Sequence, residues 1–136
     1  MKELGRLDLG EVHRIGLAYY KTGNQAESEK YFKILEDNCL KAIEADRDFA
    51  QNKRAQYDLA AVYAFQGKKD EAYNYLKDFE QVQAIPLWWL NLLKDDEMFD
   101  GIRQEDLFQE ILLDVETKYQ EEHERVRLWL EQKGEL

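Results

Sequence analysis

This 136-residue chain is short of the residues from which most active sites are built. It has one cysteine (Cys39), one serine (Ser28), one proline (Pro86) and two histidines (His13 and His123). A lone cysteine excludes an internal disulfide framework. A closed zinc site needs four ligands at tight spacing, and nothing here supplies them. His123-Glu124 begins like a zinc-protease helix, but Val126 and Arg127 follow where the second histidine belongs. Asp96 to Leu107 starts like a calcium loop, yet Met98 and Leu107 occupy ligand positions, so Met98 and Phe99 are expected in the core. A serine triad would have to use Ser28, and no glycine-rich phosphate loop is present. No run of 18 apolar residues exists, which excludes a hydrophobic span of the usual kind. The expectation is a protein without enzymatic activity, metal or cofactor.

What is present is apolar content and charge. Hydrophobic residues make up 44% of the chain, enough for one domain with a sizeable core. The formal charge is −10, and it is uneven. Residues 1–94 carry 15 Asp/Glu against 14 Lys/Arg, whereas residues 95–136 carry 14 against 5. An acidic segment repels phosphate, so neither nucleic acid nor an anionic membrane surface is an expected partner. The acidic end reads as a solvated helix face, or else as a dock for a basic partner. The unpaired Cys39 fits a reducing compartment, and the charged opening after Met1 has no apolar leader core, so the cytoplasm is the expected location if Met1 is the true start, the alternative being the soluble end of a longer protein. Cys39 falls on an apolar helix stripe and is expected to be inert packing.

Apolar spacing is helical almost throughout, and period-two alternation is absent. Stripes run through Val12, Ile15, Gly16 and Tyr19; through Tyr31, Phe32, Leu35, Cys39 and Ala42; through Leu59, Ala60 and Tyr63; and through Ala72, Leu76 and Phe79. Gly23 and Gly67 punctuate them. Residues 14–36 overlay residues 58–80 at a shift of 44: Tyr19 on Tyr63, Gly23 on Gly67, Glu27 on Glu71, Tyr31 on Tyr75. Each unit reads as helix, glycine turn, helix. Gly16 and Ala60 are small where a paired helix crosses closely, and Gly23 and Gly67 suit the left-handed residue that ends a helix.

This pattern resembles the tetratricopeptide repeat. Val12, Ile15, Gly16, Tyr19, Ser28 and Phe32 fall on its signature spacing in one unit. Gln56, Leu59, Ala60, Tyr63, Ala72 and Leu76 do so in the next. The shift is 44 rather than 34, and Leu40 and Ala84 stand where the signature has proline. The second helix of the first unit is therefore expected to run on through Ala45, with Asp46-Arg47-Asp48 as the break. Armadillo-type repeats share this length, but the turn glycines and tyrosines favour the tetratricopeptide reading. Residues 86–115 resemble the closing element of bacterial arrays of the end-of-group type, through Phe99, Ile102, Arg103, Phe108, Ile111 and Leu112.

The expected architecture is all-α: one solenoid domain over 1–136, with repeats at about 9–45 and 50–84. A degenerate third element comes next at about 86–115, and a long C-terminal helix reaches about Lys133. Pro86 is expected to end the helix before it. The resemblance implies a non-catalytic scaffold or adaptor that binds a protein or peptide segment in a concave groove. Its groove positions map onto His13, Leu17, Tyr20 and Lys21, and onto Arg54, Tyr57, Ala61, Ala64 and Phe65. The Lys/Asn pair with which some relatives clamp a terminal carboxylate is replaced by His13 and Leu17, and by Tyr57 and Ala61. Tyr57 and Phe65 have a second reading, as packing against the next helix. Trp88 and Trp89 point about 100° apart on a helix, so one enters the core and the other is a candidate contact. The last helix is a cap or, through Val126, Trp129 and Leu130, a surface for a homodimer. A small-ligand or enzymatic pocket between helices near the two tryptophans is the remaining alternative.

Overall fold

The computed structural model describes residues 9–46, 53–82 and 84–134, with side chains from residue 14 onward. Their secondary structure is entirely helical. Six α-helices occur in order: α1 (Leu9–Lys21), α2 (Gln25–Glu44), α3 (Arg54–Phe65), α4 (Lys69–Phe79), α5 (Leu87–Asp95) and α6 (Asp106–Gln132). A 3-10 turn, Glu97–Phe99, lies between α5 and α6. No helix of the described residues is long and apolar enough to cross a membrane.

The 44-residue internal repeat is physical. After α1, Gly23 has φ +84°, its N–H donates to Tyr20 O (3.1 Å), and Asn24 N–H donates to Tyr19 O (2.9 Å). After α3, Gly67 has φ +79°, its N–H donates to Ala64 O (3.1 Å), and Lys68 N–H donates to Tyr63 O (2.8 Å). These are the paired bonds by which a left-handed residue satisfies the last carbonyls of a helix. Each turn folds the next helix back on the first, giving hairpins α1–α2 and α3–α4. The tyrosines repeat as well: Tyr19 stacks on Tyr31 at 5.5 Å, and Tyr63 tilts on Tyr75 at 5.8 Å. Gly16 is small for a visible reason, since a Cβ there would stand 2.7 Å from the Phe32 ring. Ser28 and Ala72 are buried at equivalent small positions.

Helix α2 runs to Glu44 and is capped at Ala45, twenty residues against eleven in α4. Asp46 comes next with φ +51°, while Arg47 and Asp48 lie outside the described residues. Pro86 does not end α4. That helix stops at Phe79, seven residues earlier, because Val82 and Ile85 turn inward and bury themselves. Pro86 instead sits at the N-cap of α5, where its missing N–H is not needed.

Helix α3 is the centre of the molecule. Every residue from Ala55 to Ala64 is buried. It packs against α2, α4, α1 and the 3-10 turn. A helix apolar nearly all round has no solvent face to offer and must be enclosed. Beyond it, Asp96 organises the chain: Oδ1 accepts from Met98 N (3.0 Å) and Oδ2 from the Tyr57 hydroxyl (2.8 Å). Met98 and Phe99 are core residues, as expected. Arg103 closes the C-terminal end of α5 by donating to the carbonyls of Lys94 and Asp96, with its guanidinium 5.8 Å from the Phe108 ring. The first half of α6 seats Phe108, Ile111 and Val115 against α4 and α5. After Tyr119 no described residue of α6 is buried.

Candidate functional site

An open cleft separates α1 from the α5–3-10 segment. One compartment, about 610 Å³, is lined by Arg14, Leu17, Ala18 and Lys21 on one side. Leu92, Asp95, Asp96, Glu97 and Met98 line it on the other. A second, about 360 Å³, shares Leu17, Lys21, Glu97 and Met98 and adds Tyr20, Ala64, Phe65, Asp100 and Gly101. The two form one channel, divided where Lys21 Nζ meets Glu97 Oε2 at 2.8 Å. Both partners of that bridge are about half exposed, so it is worth at most ~1 kcal/mol and opens readily.

The lining has a definite chemistry. The floor is apolar: Leu17, Ala18, Ala64, Phe65, Leu92 and Met98. The α1 wall is basic through Arg14 and Lys21, and the facing wall is acidic through Asp95, Glu97 and Asp100. Tyr20 stands at one end, 52% exposed, with its ring edge-on to Phe65 at 4.9 Å. On its far side a further hollow of about 400 Å³ is bounded by Gln25, Glu29, Phe32, Phe65 and Lys68.

The structure brings together four of the groove residues expected from sequence: Leu17, Tyr20, Lys21 and Phe65. Ala64 joins them on the floor. The side chain of His13 lies outside the described residues. Tyr57 and Ala61 require correction. They are 0% and 1% exposed and cannot line a groove. The Tyr57 ring sits 5.3 to 5.8 Å from Phe79, Phe99 and Trp89, beneath the 3-10 turn. Burial, then the carboxylate of Asp96, push its hydroxyl pKa well above the usual tyrosine range. Arg54 is half-buried and is not among the residues that line the cleft; its Nε meets Asp58 Oδ2 at 3.4 Å and its guanidinium lies 6.0 Å from the Trp89 ring.

The tryptophan pair also resolves. Trp89 is buried in the core against Phe79 and Tyr57, so it is no exposed contact. Trp88 is 57% exposed and stacks on Trp89 at 5.7 Å. Cys39 is fully buried, and desolvation pushes its thiol pKa far above the ordinary value, which leaves almost no thiolate. Among the described residues no group of three or more His, Cys, Asp or Glu is arranged to hold a metal ion.

Sequence reasoning missed the second wall. In the sequence Asp95, Glu97 and Asp100 read as an acidic stretch that starts like a calcium loop, and Leu92 as part of the apolar run after Pro86. The available signal was complementarity: the basic residues Arg14 and Lys21 on α1 against the cluster at 95–100. No protein-family model matches the chain, and neither the curated proteins nor the solved structures contain a match to it.

Proposed function

We propose that this chain is a non-catalytic, tetratricopeptide-like interaction module that holds a partner segment in the cleft between α1 and the α5–3-10 segment. The observation that carries the reading is the cleft itself: an apolar floor in two compartments, with basic residues along one rim and acidic residues along the other. Such a channel suits a short peptide segment that buries two apolar side chains and pairs its own charges with the rims. Tyr20 is the candidate anchor, since tyrosine is among the residue types that dominate binding energy at interfaces. The divided floor requires the segment either to bridge over Lys21 and Glu97 or to displace their pairing. The repeated hairpin supports the family reading, because its turn, tyrosine pair and small crossing residues recur at one fixed shift.

The test is selection from a random peptide library against the intact chain, then binding to Leu17→Arg and Tyr20→Ala. Enriched peptides should share two apolar positions and lose at least tenfold in affinity to either variant. Both variants should melt within a few degrees of the parent, since neither residue is buried. Peptides that bind the variants as well as the parent would place recognition elsewhere.

A further inference from the structure

The apolar face of α6 does not stop where the body of the molecule stops. At about 100° per residue, Val126 falls within about 20° of Phe108, Val115 and Tyr119, and Leu130 within about 60°, on the face that seats the helix on α4 and α5. Before Tyr119 this face is covered. Past it, Val126 is 40% exposed and Trp129 51%. The projecting part, residues 120–132, is about 20 Å long at 1.5 Å per residue. A helix that keeps its apolar stripe beyond its own core is shaped for another helix.

We propose that two copies of this chain pair through the projecting ends of α6, antiparallel, each end lying on the apolar face of the other. Charge selects the copy and its direction. The first part of the projection is acidic (Glu121, Glu122, Glu124) and the next is basic (Arg125, Arg127). In a parallel pair these blocks would meet their own kind. In an antiparallel pair crossing between residues 124 and 125, Glu124 faces Arg125 and Glu122 faces Arg127 of the second copy. Within one copy Arg125 pairs with Glu122, and Arg127 with Glu124 and Glu131; these are exposed ion pairs that re-form across the interface at little cost.

The same register brings part of the apolar stripe against ring-bearing residues. Leu130 of each copy meets Tyr119 of the other, and Val126 meets His123, giving four layers. The tip of one helix then ends at the foot of the other, beside the hollow of about 410 Å³ where Val82, Glu122 and Arg125 line the edge of the body. The buried surface is on the order of 1,000 Å², the low end for a specific interface, as befits a dimer that forms and separates reversibly. This pairing is independent of the cleft, which lies on α1 and the α5–3-10 segment.

Sedimentation equilibrium from about 1 to 500 µM tests it. The parent should shift with concentration from 16.2 kDa toward twice that mass. Val126→Glu with Leu130→Glu should remain monomeric throughout, with an unchanged melting temperature, because these residues project past the core. Glu122→Arg with Glu124→Arg, a change at two side chains about half exposed, should weaken association at least tenfold. A spin label on Gln132→Cys should report about 20 Å between copies in the antiparallel pair, against about 10 Å in a parallel one. A parent that stays monomeric at 500 µM, a dimer indifferent to Val126→Glu with Leu130→Glu, or a short label distance would overturn the proposal.

Discussion

The two hairpins share a turn, a tyrosine pair and a small residue at the helix crossing, yet the first leaves its inner face open while the second is enclosed along nearly all of its first helix. Along the 44-residue shift, Leu17 corresponds to Ala61, Tyr20 to Ala64 and Lys21 to Phe65. On α1 these positions are large or charged and line a cleft. On α3 the first two are small and buried beside the 3-10 turn, and only the edge of Ala64, with Phe65, reaches the floor of that cleft. The repeat dictates the local fold of each hairpin. The later segment, residues 86–103, decides whether a helix face becomes a surface or a core. A groove inferred from repeat positions therefore holds only for a unit whose inner face no later segment covers.

The strongest way to break this contrast is to truncate one tyrosine from each hairpin. Tyr57→Ala should destabilise by about 3–5 kcal/mol, as expected for a large buried aromatic, and lower the melting temperature by about 10 °C or more. Tyr20→Ala should cost less than ~1 kcal/mol, because its ring is half exposed. Similar losses on thermal denaturation would mean that α1 and α3 are equally enclosed. A finer cut uses the crossing points. Phe32 lies on Gly16, and the equivalent pair is Leu76 and Ala60. Gly16→Ala forces its Cβ into the flat Phe32 ring and should cost about 1–3 kcal/mol, partly offset by ~1 kcal/mol of helix propensity. Adding Phe32→Leu, which copies the second hairpin, should recover part of that loss. A coupling of about 1 kcal/mol in the double-mutant cycle is expected, and strict additivity would show that the helices separate freely.

The hairpins are readable because their signals are local. A glycine that must adopt positive φ, a tyrosine one turn before it and a small residue where helices cross each act within a few residues. The length of α2 is readable too, since no proline interrupts it. The fate of Tyr57 is less accessible, because it depends on Asp96, thirty-nine residues away. One clue is there: from Ala55 to Phe65 the only charged residue is Asp58, and a helix that bare of charge is enclosed. Pro86 misleads for a related reason. Proline marks a boundary, but whether it ends one helix or begins the next depends on where Val82 and Ile85 find burial. Half of the cleft is legible on α1; its facing wall depends on how residues 95–100 fold back.

The two turns themselves provide a smaller test. Neither Gly23 nor Gly67 has an atom within 4 Å of where a Cβ would stand, so substitution meets backbone strain and nothing else. Gly23→Ala and Gly67→Ala should each cost about 1 kcal/mol and agree within about 0.5 kcal/mol by chemical denaturation. A clear inequality would show that the hairpins differ locally and not only in their surroundings.

The smallest effect concerns how the second hairpin is closed at its far end. Glu80 caps α4 and faces α6. Burial, then the Asp114 carboxyl, raise its pKa to about 7, with Glu110 adding to the shift and Lys118 opposing it. Lys118 also donates to the Glu80 carbonyl oxygen, so the same residue that softens the charge ties the two helices together. With the pKa raised on folding, the folded state favours the protonated carboxyl. Its stabilising contribution is fully present below the ordinary glutamate pKa, near 4.5, and is lost as the pH rises through about 7. The dependence should therefore be confined to the α4–α6 junction and leave the first hairpin untouched. Over this window the melting temperature of Glu80→Gln should fall less than that of the parent, with amide exchange in the first half of α6 showing the same difference. If both chains lose stability equally between pH 4.5 and 7, another group governs that junction.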